Sequence, residues 1–66
     1  MGKMFEYRQV IENKVKTMGD DGVVAKGKIG LKVGVLISFI KADTPDDPAK
    51  VLAMKTAIKE ILGVSV

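Results

Sequence analysis

Hydrophobic side chains recur along this chain at two different periods, and the change falls near residue 23. Met4, Tyr7, Ile11, Val15 and Met18 are spaced by three or four, which places them on one face of a helix. Glu12 and Lys16 form an i,i+4 pair in the favourable order on that helix. Gly19 stands just past the last apolar residue, a position where a left-handed residue ends a helix. Asp20-Asp21-Gly22 then reads as a turn.

From Val23 the period becomes two. The odd positions are Val23, Ala25, Gly27, Ile29, Leu31, Val33, Val35, Ile37 and Phe39. Alternation sends these to one sheet face and Lys26, Lys28 and Lys32 to the other. The segment is too long for one strand, so a turn or bulge is expected near Gly27 or Gly30, giving a two-stranded antiparallel ribbon. A helix competes for part of it, because Ile29, Val33, Leu36, Ile37 and Ile40 also fit a helical stripe. Glycine weakens a helix by about 1 kcal/mol relative to alanine, and several glycines fall here, so the ribbon is preferred.

The alternation decays at its end. Val35, Leu36, Ile37, Phe39 and Ile40 are apolar on both faces of the expected strand, and a strand of that kind is normally covered on both sides. Two short helices can cover one face. A second copy of the chain is expected on the other, with those five residues as the oligomer interface, and Leu36→Lys is expected to break it by burying a charge.

Asp43-Thr44-Pro45-Asp46-Asp47-Pro48 opens a last helix. Thr44 and Asp47 have capping-box spacing; alternatively Asp47 is the cap and Pro48 takes the first helical position. Val51, Met54, Ile58, Ile61 and Leu62 make its apolar stripe, Gly63 ends it, and Val64-Ser65-Val66 is a tail that pairs as an edge or frays. The expected fold is therefore α+β: helix, two-stranded antiparallel β-ribbon, helix, as one domain over residues 1–66 completed by oligomerisation.

Composition narrows the function. A chain of 66 residues hides a small share of its unfolded surface, and domains of this size usually add disulfides, a metal or oligomerisation. Cys and His are absent, which removes the first and nearly excludes a zinc site. No cofactor is indicated, and without His the usual nucleophilic triads are unavailable. Ser38 and Ser65 lie in no recognisable motif, and Asp20-Asp21 and Asp46-Asp47 read as turn and cap residues rather than metal ligands. Nothing points to an enzyme.

The formal charge is +3, from eleven Lys plus Arg and eight Asp plus Glu. Between Asp21 and Asp43 there is no acid, while Lys26, Lys28, Lys32 and Lys41 lie there. Lysines on one ribbon face could neutralise phosphates, so sequence-tolerant nucleic-acid binding through Lys26, Lys28 and Lys32 is the alternative function. No Arg, Asn, Gln or aromatic residue interleaves with them for base reading or stacking. A solvated outer face that discourages edge pairing is the plainer reading.

Two glycine motifs carry less. Gly22-x-x-x-x-Gly27-Lys28 matches most of a phosphate-binding loop, but Ile29 stands where Ser or Thr must hold magnesium. Gly27-Lys28-Ile29-Gly30 resembles the GxxG loop of KH domains over four residues. That loop joins two helices, whereas the flanks here read as strands. The longest uncharged stretch, Val33 to Ile40, is far short of a membrane span. Phe5, Glu6, Tyr7 and Arg8 stand where a signal peptide would turn apolar. The expectation is a small non-enzymatic structural or interaction protein, cytoplasmic or within a virion, whose partner is itself or another protein. A third reading takes residues 29–41 as an amphipathic helix on a membrane surface or partner.

Overall fold

The chain from Asp20 to Val33 is a helix, not a ribbon. The computed structural model describes residues 2–66, and no strand occurs among them. The order is α1 (Lys3–Val15), α2 (Asp20–Val33), a 3-10 turn (Ile37–Phe39) and α3 (Pro48–Ala57), whose end widens into π geometry over Ile58–Leu62. The α+β expectation and its β-ribbon are overturned by this all-helical architecture.

The reason lies in a spacing that both periods share. Ala25, Ile29, Val33 and Ile37 are buried and follow one another every four residues. Four is twice the strand period and close to one helical turn. Those residues therefore fit either template, and the remaining odd positions decide it. Val23 and Leu31 belong to the same strand face but lie outside the core, which only a helix can arrange. Charge agrees with a helix too. Asp20 and Asp21 fill the first turn of α2 and Lys32 its last, the arrangement that the helix dipole favours. Asp20-Asp21-Gly22 is thus a helix start and not a turn.

Three glycines hold the joints. Gly19, at φ 63°, precedes α2 rather than closing α1, and Gly34 (φ 86°) and Gly63 (φ 70°) end α2 and α3 in left-handed conformation. Gly22 packs where a Cβ would collide with the Val15 carbonyl oxygen, so α1 and α2 meet backbone to backbone.

The core is drawn from every element. Ile11, Ile29, Ile40, Met54 and Ile58 are fully buried, with Met4, Ala25, Val33, Ile37, Ala57 and Leu62 around them. The radius of gyration is 10.6 Å, close to the ~11 Å expected of a compact single chain of this length. One chain therefore closes its own core. Val64 and Val66 pack against it, so the tail neither pairs as an edge nor stands away.

Long-range polar contacts tie the loops down. The Asp46 carboxylate accepts the backbone N–H of Lys3 at 2.9 Å and of Met4 at 3.1 Å. It does for α1 what Gly2, at the N-cap without a side-chain oxygen, cannot. Asp47 caps α3, accepting Ala49 N–H at 2.9 Å with Pro48 in the first turn. Thr44 forms no box with it; its hydroxyl accepts the Lys41 N–H at 2.8 Å instead. Arg8 reaches from α1 and donates to the carbonyls of Ile40 (2.6 Å) and Ser38 (3.3 Å).

Candidate interaction surface

Helix α2 is apolar on the side that faces the core and apolar again on the side that faces away. Gly22, Ala25, Ile29, Gly30 and Val33 are buried. On the opposite side Leu31 is 86 % exposed, Val23 73 % and Val24 56 %. Gly27 lies among them with open space where a Cβ would stand. Charged residues lie between the two sides, Asp21, Lys28 and Lys32 on one flank and Lys26 on the other, so the outer apolar residues form a second stripe that the core leaves bare.

The bare face continues past the end of α2. A groove lined by Gly27, Gly30, Leu31, Gly34, Val35 and Leu36 runs along it, and Leu36 is 59 % exposed. After Gly34 the chain doubles back, Gly34 and Val35 both donating to the Gly30 carbonyl at 2.8 and 3.1 Å. A Cβ on Gly30 would stand 3.0 Å from the Val35 oxygen, so the lack of one there lets Val35 and Leu36 lie against the helix.

The five residues expected as a two-faced interface divide. Ile37 and Ile40 enter the chain's own core. Leu36 and Phe39 face outward, and Val35 is half-buried between them. The 3-10 turn accounts for the division: with about three residues per turn, Ile37 and Ile40 fall on one side of it. The premise that this stretch is extended and needs a second chain on its far side is therefore corrected. Phe39 borders a separate groove with Met4, Pro45 and Pro48.

The three lysines do not share a face. The Lys26 ammonium lies against the Glu12 carboxylate of α1. Lys32 reaches Glu60 beyond α3 at 3.4 Å. Lys28 is exposed and makes no ion pair among the described residues. Alternation aligned them in the expected ribbon; a helix turns Lys26 toward α1 and leaves Lys28 and Lys32, one turn apart, on another side.

Among the described residues no group of three or more His, Cys, Asp or Glu side chains gathers to hold a metal. Asp46 and Asp47 are held below the ordinary carboxylate value by the backbone N–H groups they accept, from Lys3 then Met4 and from Lys50 then Ala49. Both are thus engaged in helix starts. No helix among the described residues is long and apolar enough to cross a membrane. Comparison with protein-family models, with curated proteins and with solved structures found no match.

Sequence reasoning missed Val23, Val24 and Leu31 as surface residues. A helical wheel over 20–33 carries the signal. It sets Val23, Val24, Gly27 and Leu31 on the side opposite Ala25, Ile29 and Val33.

Proposed function

We propose that this chain is a small non-enzymatic structural protein that acts by associating with copies of itself through the outer face of α2. One observation carries the reading: Val23, Val24 and Leu31 stand mostly exposed on the outer side of α2, and Leu31 shares an apolar groove with the exposed Leu36. Scattered exposed apolar residues are ordinary, but a contiguous strip marks an interaction surface.

Magnitudes favour a weak contact. Burying such a side chain fully is worth about 1.5–3 kcal/mol, so four from each of two copies supply on the order of 10 kcal/mol. Association costs roughly 4–15 kcal/mol in lost freedom. A standard interface hides about 800 Å² per partner, nearly a fifth of the 4176 Å² this chain exposes, and one helix face offers less. The surplus is at most about 6 kcal/mol, a dissociation constant no tighter than tens of micromolar.

Sedimentation equilibrium from ~10 μM to ~1 mM brackets that limit. The wild-type mass rises toward a multiple of 7.1 kDa, while Leu31→Lys, which leaves the core untouched, stays at the monomer mass with an unchanged helical spectrum. A wild-type monomer throughout overturns the proposal.

A further inference from the structure

Val35 to Ile40 is the longest run of this chain free of charge, glycine and proline; the next, Val51 to Met54, is four residues. Six residues of that kind, mostly β-branched or aromatic, have the composition that stacks into cross-β sheets once the backbone is free. The folded chain holds them otherwise. One 3-10 turn is closed by the Phe39 N–H on the Leu36 carbonyl at 2.9 Å and the Ile40 N–H on the Ile37 carbonyl at 3.1 Å. On either side of that turn the backbone is already extended, with φ -65° and ψ 129° at Leu36 and φ -78° and ψ 115° at Ile40. Locally, little more than the turn separates this stretch from a strand. Ile37 and Ile40 are buried, so the run is freed only when its hold on the core opens.

Arg8 holds the run at the backbone. Its guanidinium donates to the Ile40 carbonyl at 2.6 Å and to the Ser38 carbonyl at 3.3 Å. On a strand, carbonyls two residues apart point to the same edge. One side chain therefore occupies two acceptors that a neighbouring strand would need. Glu12 stands 4.0 Å from the guanidinium and itself lies against Lys26. Lys32 and Lys41 flank the run outside it, where charge discourages pairing.

We infer that Arg8 is an autoinhibitory contact, withholding residues 35–40 from β-pairing between chains, and that a chain which loses it converts to cross-β assemblies built on that run. The partner is the same six residues of another copy. The inference concerns the opened chain; it does not rest on association of the folded one through α2.

Arg8→Ala, agitated at neutral pH, binds thioflavin T and gives the ~4.7 Å reflection of stacked strands, while the wild type stays soluble over the same time. Trypsin cuts after Lys32 and Lys41, so digestion of the assemblies leaves residues 33–41 as the protected fragment. Adding Phe39→Lys abolishes conversion; Phe39 is 64 % exposed, so that change leaves the core alone. Gly22→Ala, which loosens the fold but keeps Arg8, converts more slowly than Arg8→Ala when the two are compared at equal unfolded fraction. An Arg8→Ala chain that stays soluble, folded or unfolded, overturns the proposal. So do assemblies that protect another segment, such as residues 60–66, or that form as fast with Phe39→Lys. Equal conversion by Gly22→Ala overturns it too, because stability and not the Arg8 contact would then guard the run.

Discussion

The Asp46 carboxylate accepts the backbone N–H of Lys3 at 2.9 Å across forty-three positions of chain. A helix start is normally capped by its own preceding residue; here a residue just before the third helix caps the first. Local order in α1 thus depends on the loop before α3 being in place, which couples the two ends of the fold.

That coupling is pH-dependent. The Lys3 and Met4 N–H groups hold Asp46 below its ordinary value of 3.8 in the folded chain. A carboxyl depressed on folding stabilises the fold above the unfolded value, and its contribution is lost as pH falls through the folded one. Thermal melts of the wild type should therefore lose stability below about pH 4. Asp46→Asn should melt lower than wild type at neutral pH, and the gap should narrow below pH 4. A gap that stays constant into acid would show that the carboxylate charge is not what matters.

Ile29 and Leu31 separate the helical fold from a ribbon. On a strand the two side chains share a face and their truncations cost alike. In the helix Ile29 is fully buried and Leu31 is 86 % exposed. Ile29→Ala should cost about 2–5 kcal/mol, enough to unfold much of a small domain. Leu31→Ala should stay within about 0.5 kcal/mol. Urea denaturation followed by circular dichroism measures both.

Arg8 ties α1 to the 3-10 turn through the Ile40 and Ser38 carbonyls. Arg8→Ala removes a charged donor and leaves those oxygens to find water, a loss of about 1–3 kcal/mol. Hydrogen exchange should localise the effect to residues 37–41, with α3 less affected. Uniform loss of protection would instead mean that the turn and the helices open together.

Gly22 tests the α1–α2 contact. A methyl group there collides with the Val15 carbonyl oxygen, which belongs to backbone and cannot swing aside. Gly22→Ala should therefore destabilise by about 1–3 kcal/mol, although alanine favours helix by about 1 kcal/mol over glycine. Gly27→Ala, where the Cβ meets open space, should stabilise the monomer. Equal responses at the two sites would remove the close backbone contact.

Much of this fold was legible in the amino-acid order. The stripe from Met4 to Val15 is α1, and Asp47 with Pro48 and Gly63 bracket the last helix as cap, first-turn proline and left-handed stop. Those signals are local: each depends on residues within one or two turns. The middle segment was not legible in the same way. Ala25, Ile29, Val33 and Ile37 satisfy a period of two and a period near four at once, so intrinsic pattern could not choose. Packing chose, because a helix lets α2 lay Ala25, Ile29 and Val33, joined by Ile37 from the 3-10 turn, into a single core with Ile11, Met54 and Ile58, while glycines at 22 and 30 admit the neighbouring backbone.

The bare apolar strip has the same origin. Composition alone established that the chain is small, basic, without cysteine or histidine, and rich in hydrocarbon for its size. Which of those hydrocarbons face water was a tertiary matter. Once one side of α2 is committed to the core, the 3.6-residue turn places Val23, Val24 and Leu31 outside, and no local preference can bring them in.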